Sequence, residues 1–216
     1  MKQNAIFIGC IFVIYNFTFV PKSLSLNQHL IAPFLNSISV AIKREDLIHP
    51  FVSGNKFRKL KYNLLQAKTE HFETLLTFGG AFSNHIAAVA FAGKDKGFKT
   101  IGIIRGDELG SKISENPTLS FAQDCGMQLE FISREEYRLK SESSFLANLK
   151  QQFGDFYLIP EGGTNALAIK GCQEILTPED AEFDYICCSI GTGGTISGII
   201  NSALPHQKVL GFPALK

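Results

Sequence analysis

The chain has 216 residues, 45% of them hydrophobic and 19% charged, with a net charge of +1. That is enough chain to bury a core, in a composition ordinary for a folded soluble protein. The near-neutral charge, and lysines that do not cluster with aromatics, exclude any electrostatic case for a nucleic-acid partner.

Residues 1–21 stand apart. Residues 5–20 (AIFIGCIFVIYNFTFV) are apolar almost throughout, with Lys2 ahead of them. The run is shorter than the roughly 20 residues that span a bilayer. It is read as an N-terminal appendage or a short buried strand. Two alternatives stay open: a signal-peptide core, although no clear small-x-small cleavage site follows, and residues added by an upstream start codon.

From Pro21 onward the pattern is that of an α/β protein. Residues 40–46 read as a strand ending in charges, and Ser53 as the cap of a helix to about residue 68, with Phe57, Leu60, Leu64 and Ala67 on one face. Residues 74–78 form a short apolar strand broken by Gly79-Gly80. Ser83 caps a second helix that Gly97 ends. A strand over 100–104 precedes a helix opened by Asn116-Pro117 and stopped at Gly126. The alternation continues with a strand over 127–132, a helix over 141–153, a strand over 156–159 and a helix over 164–176. A buried strand over 185–190, a helix over 194–204 and a strand over 208–211 complete it. Strands alternating with helices imply βαβ units and a mainly parallel sheet.

Five cysteines (Cys10, Cys125, Cys172, Cys187 and Cys188) form no C-x-x-C pair, and an odd count makes a poor disulfide framework. Cys187 and Cys188 sit in an apolar run and read as buried thiols, and reduced, cytoplasmic cysteines fit best. The five histidines show no metal-ligand spacing, so no metal is expected.

Three segments fall where strands give way to helices, the place where open α/β sheets collect ligands. In Gly191-Thr192-Gly193-Gly194-Thr195, glycines let the backbone come close and the helix start favours an anion. Ile196 rules out a dinucleotide fingerprint, and no Gly-Lys-Ser/Thr follows for a Walker loop. A phosphate monoester is the better fit, a plain tight turn the alternative. Lys56, in Ser53-Gly54-Asn55-Lys56, stands near a helix start, where the dipole disfavours a cation. Desolvated there, its amine loses protons more readily and becomes able to bond a carbonyl cofactor. Lys59 and Lys61 are read as solvent-facing. Ser83 either caps its helix or presents its hydroxyl to a substrate, Asn84 is a candidate partner for a cofactor oxygen, and His85 packs under the turn. No G-x-S-x-G elbow is present and no acid–histidine partner order is evident, which speaks against a serine hydrolase.

These segments, with Arg58-Lys59-Leu60 and Pro160-Glu161-Gly162-Gly163, stand in the order and rough spacing of a known family. The chain from Leu26 to Lys216 resembles the 1-aminocyclopropane-1-carboxylate deaminase / D-cysteine desulfhydrase family of tryptophan-synthase-β-like enzymes, which use pyridoxal 5'-phosphate (PLP). The resemblance implies a two-domain, three-layer parallel-sheet α/β architecture. The larger domain would be residues 22–56 and 169–216, and the smaller one residues 57–168. It implies that Lys56 holds PLP and moves the substrate proton, and that Asn84 meets the ring's 3-oxygen. Gly191, Thr192, Gly193, Gly194 and Thr195 would cradle the phosphate, and Ser83 would contact the substrate carboxylate or assist at the reacting carbon. Family members continue well past the match to Leu210-Gly211-Phe212-Pro213, so a C-terminally truncated larger domain is expected. The partner of the pyridine nitrogen and a substrate-side tyrosine would lie in the missing part. The expected activity is that of a PLP-dependent lyase or deaminase on a small amino acid, D-cysteine first and 1-aminocyclopropane-1-carboxylate second. A serine/threonine dehydratase-type elimination and an inactive homologue that only binds PLP or another phosphate ligand are the alternatives. A homodimer goes with the resemblance, and no membrane partner is expected.

Overall fold

The structure, a computed structural model, describes residues 3–8, 25–31 and 38–213. In chain order the elements are β1 (Gln3–Ile8), β2 (Asn27–Leu30), β3 (Ile38–Lys43) and α1 (Asn55–Thr69). There follow β4 (Thr74–Gly80), α2 (Asn84–Lys96), β5 (Lys99–Arg105), α3 (Pro117–Asp124) and β6 (Gln128–Ile132). The remainder is α4 (Arg134–Arg138), α5 (Ser143–Phe153), β7 (Tyr157–Ile159), α6 (Ala166–Cys172), β8 (Tyr185–Ile190), α7 (Gly194–Ser202) and β9 (Lys208–Pro213). Short 3-10 turns, among them Glu45–Leu47, join several of these.

Two compact units result: Met1–Tyr62 with Thr164–Lys216, and Asn63–Gly163. The first two turns of α1 go with the first unit, where the Arg58 guanidinium grips the Glu45 carboxylate at 2.8 and 3.0 Å.

The first unit is built on a five-stranded sheet of order β2-β3-β1-β8-β9. All its pairings are parallel except that of β2 with β3. Residues 3–8, part of the stretch set apart as an appendage, form its central strand. Ile6 is fully buried and lies opposite Ala41 on one side and Ile186 on the other. A near-continuous apolar run suits a parallel strand covered on both faces. The rest of the apolar run, residues 9–20, lies outside the described residues. Among the described residues, no helix is long and apolar enough to cross a membrane. Ile6, Ala41, Ile186 and Cys188 meet Cys172, Ile175 and Ile199 in this unit's core, with Phe183. Cys187 and Cys188 are buried in β8.

The second unit holds a four-stranded, wholly parallel sheet of order β6-β5-β4-β7. Period-two alternation sends Leu76, Phe78, Ile101 and Ile103 to one face, against Tyr137 of α4 and Leu149 of α5. The opposite face is covered by α2, and glycines allow the approach. A Cβ at Gly93 would lie 2.1 Å from Thr100, and one at Gly79 would lie 2.5 Å from Ile86. Local signals set the helix ends. Asn116 caps α3 with its carboxamide oxygen, Pro117 is its first residue, and Gly97 ends α2 at φ +78°.

Two elements escape periodicity. Strand β2 has four residues, largely exposed, so it carries no apolar alternation. Helix α4 has five residues and is held by a reciprocal cap between Ser133 and Glu136. The strand expected over 40–46 stops at Lys43 because the next residues turn into 3-10 geometry. That turn buries the Glu45 carboxylate, and the Lys43 ammonium is buried by Asp180, 2.8 Å away, with Asn27 donating to the same carboxylate. The carboxylate also accepts the Thr177 N–H at 2.7 Å. Asp180→Ala strands a buried cation and opens the Thr177 turn. Urea unfolding should show a loss of about 3–5 kcal/mol relative to the unsubstituted chain.

Candidate active site

The first turn of α1 is held on several sides, all within the first unit. Gly54, at φ +62°, turns the chain into the helix and donates its N–H to the Glu45 carbonyl at 2.9 Å. Asn55, the first helical residue, donates from Nδ2 to Thr195 Oγ1 at 2.8 Å. Behind it, α6 approaches so closely that a Cβ at Gly171 would stand 2.0 Å from the Arg58 carbonyl oxygen. Arg58 is also 3.8 Å from Glu174, which Lys61 grips at 2.6 Å and the Tyr62 hydroxyl bonds as well. Lys56 is carried on this turn, half-buried.

The glycine-threonine turn joins β8 to α7. Gly193 caps the helix in the left-handed region at φ +84° and, as a glycine, offers the first-turn N–H groups no side chain. A Cβ added at Gly191 or Gly193 would meet nothing within 4 Å, so the turn is open on that side. At Gly194 it is closed: a Cβ there would lie 2.8 Å from Thr164 Oγ1 and 3.2 Å from Lys59 Nζ. Thr192 is exposed, its hydroxyl 2.5 Å from that of Thr164, while Thr195 is 7% exposed.

Lys59 is the correction to the sequence reading. It does not face solvent: it is 2% exposed and donates to Thr164 Oγ1 at 3.0 Å and Thr192 Oγ1 at 3.4 Å. The signal was present in the spacing. Lys59 stands three residues after Lys56 on the helix face that also carries the buried Leu60, Asn63 and Ala67. Lys61 does remain at the surface, paired with Glu174.

An open backbone turn at a helix start, a buried ammonium and hydroxyls of Thr164, Thr192 and Thr195 form a donor set for a dianionic oxygen group. The residues present therefore fit a phosphate monoester. Cys172 lies below the turn. Burial pushes its thiol up to about 11, against the opposing pull of the Lys59 charge, the Thr195 hydroxyl and the Lys56 charge.

Ser83 and Asn84 belong to the second unit. Ser83 caps α2, its Oγ accepting the Ile86 N–H at 3.4 Å. Asn84 is exposed on the first helical turn, beside the exposed ring of Phe82. His85 is buried under the turn with Nε2 2.8 Å from Thr77 Oγ1. The Glu161 carboxylate of the Pro160-Glu161-Gly162-Gly163 turn accepts the Tyr137 hydroxyl at 2.8 Å. Burial and that acceptor together push Tyr137 far up.

Strand ends that lead through glycine turns into helix starts, one of them beside a buried lysine, are the setting in which α/β folds collect phosphorylated ligands. The chain belongs to the pyridoxal-phosphate dependent enzyme family, which it matches over residues 29–210. It is 34% identical over 168 residues to a Thermotoga maritima protein assigned as a 1-aminocyclopropane-1-carboxylate deaminase, covering 74% of this chain and 53% of that one. To the mitochondrial bifunctional D-cysteine desulfhydrase/1-aminocyclopropane-1-carboxylate deaminase of Arabidopsis thaliana it is 33% identical over 181 residues, covering 76% and 45%. The solved structure of an ACC deaminase homologue superimposes with a TM-score of 0.69 at 27% identity, covering 84% of this chain and 56% of that one. The chain spans about half the length of the curated relatives it matches.

Gly171→Ala should push α1 off α6 and cost about 1–3 kcal/mol in urea unfolding, as overpacking does. The Cys172 thiol keeps its proton longer folded than unfolded. Its stabilising contribution is therefore complete below its ordinary value of 9.0 and is lost as pH rises through about 11. Over that interval, Cys172→Ala should make the fall of stability with pH shallower than in the unsubstituted chain.

Proposed function

We propose that this chain is a PLP-dependent lyase or deaminase acting on a small amino acid, with D-cysteine the first substrate to test and 1-aminocyclopropane-1-carboxylate the second. One observation carries the reading: the buried Lys59 ammonium and the open Gly191–Thr195 turn form an anion cradle beside the helix that bears Lys56. Likeness to relatives named for these two activities supports it.

In this reading the backbone N–H groups of the turn, the hydroxyls of Thr192 and Thr195 and the Lys59 ammonium bind the phosphate. Burial keeps water from competing at Thr195 and Lys59. Lys56 would hold the cofactor through its amine, and that amine, once displaced by the amine of the substrate, would carry a proton to or from the substrate's α-carbon. When bound, the cofactor supplies an electron sink for charge left on the α-carbon. Asn84 takes the ring's 3-oxygen as acceptor, and Ser83 directs its hydroxyl to the substrate carboxylate or the reacting carbon. A homodimer and a cytoplasmic location belong to the same proposal.

Purified protein mixed with PLP should turn yellow, and borohydride should leave the cofactor attached to the Lys56 peptide by mass spectrometry. Lys56→Ala should abolish both, and colour that survives in that variant rejects the assignment. Lys59→Gln should weaken PLP uptake at least tenfold, about the worth of one charge-assisted hydrogen bond. Pyruvate released from D-cysteine supports the lyase activity, whereas colour without pyruvate leaves cofactor binding alone.

A further inference from the structure

Asn55 sits between Lys56 and the turn and has no role in the chemistry above. Its carboxamide N–H reaches Thr195 Oγ1 at 2.8 Å, in a place where Thr195 is 93% buried by its 7% exposure. A threonine hydroxyl has one proton and two lone pairs. With one lone pair filled by Asn55, the hydroxyl cannot aim its proton at Asn55 and must give it elsewhere. One neighbour in reach is the Cys172 sulfur, whose thiol burial holds well above its ordinary range and which is therefore a weak acceptor. An incoming phosphate oxygen is a far stronger one. A hydroxyl that accepts a hydrogen bond is also a better donor in its own.

We propose that Asn55 is a positioning residue for the phosphate subsite: by donating to Thr195 it turns the Thr195 hydroxyl proton towards the bound phosphate. The inference rests on the reading that the Gly191–Thr195 turn holds the cofactor's phosphate, and it adds the residue that orients one of the donors. Because Asn55 acts through Thr195, its effect should vanish when the hydroxyl is absent. Because it acts on the phosphate, it should vanish when the phosphate is absent.

The experiment is a double-mutant cycle on the full chain, read as dissociation constants for PLP and for unphosphorylated pyridoxal by absorbance titration, with inorganic phosphate as a competitor. Asn55→Ala should weaken PLP about fivefold and Thr195→Val about tenfold, as loss of one hydrogen bond would. The double variant should be no weaker than Thr195→Val alone, and Thr195→Ser should match the unsubstituted chain. Inorganic phosphate should follow the same ranking, while pyridoxal affinity should not change. Additive losses, an unaltered Asn55→Ala affinity, or equal losses for PLP and pyridoxal overturn the proposal. So does an affinity loss that merely tracks lost stability in urea. If the unsubstituted chain binds PLP no better than pyridoxal, the turn holds no phosphate, and the underlying reading falls together with this inference. If it prefers PLP but Asn55→Ala keeps that preference in full, only the role of Asn55 falls.

Discussion

The rest of the first unit depends on a buried ammonium set against the start of a helix. Lys59 is almost wholly out of water, and its charge lies near Gly194, where the dipole of α7 is also positive. Burying a cation costs several kcal/mol unless partners take its protons, and the Thr164 and Thr192 hydroxyls accept from it. Two positive sources pointing at one turn raise the energy of that turn by itself and lower the energy of any anion placed there.

Holding such an arrangement takes a rigid frame, and the contacts around α1 supply it. The Glu45–Arg58 pair anchors the helix to the turn after β3 with two charge-assisted bonds. Gly171 lets α6 approach to backbone contact, and Gly198 in α7 does the same against Cys172, where an added Cβ would stand 2.4 Å from the Cys172 Cβ. Close helix packing of this kind leaves little freedom for α1 to tilt, so the direction in which Lys56 and Lys59 project is set by packing. The second unit follows the same logic around α2, whose start carries Ser83 and Asn84 and whose body lies close on β4 and β5 through Gly79 and Gly93.

Much of the fold was legible because its signals are local. Alternating strands and helices marked a parallel α/β chain, and Ser83, Asn116 and Gly97 marked helix ends at the residues where the structure has them. The turn at 191–195 stood out in the sequence because it sets glycine beside threonine between an apolar strand and a helix start. Strand β2 and the short α4 were not legible, since neither is long enough to show a period. The place of residues 3–8 in the centre of a sheet was open as well: an apolar run has the same appearance whether it lies outside a fold or in the middle of one.

The sequence by itself determined the class of fold, the phosphate-suited turn and the lysine worth watching, because each depends on residues adjacent in the chain. Tertiary structure alone decided that Lys59 meets Thr164 and Thr192, that Asn55 reaches Thr195 across 140 positions of sequence, and that Glu45 and Arg58 pair. A lysine reads as a surface residue until the elements packed around it are known. What covers a helix face is a property of packing between distant segments that no local pattern encodes.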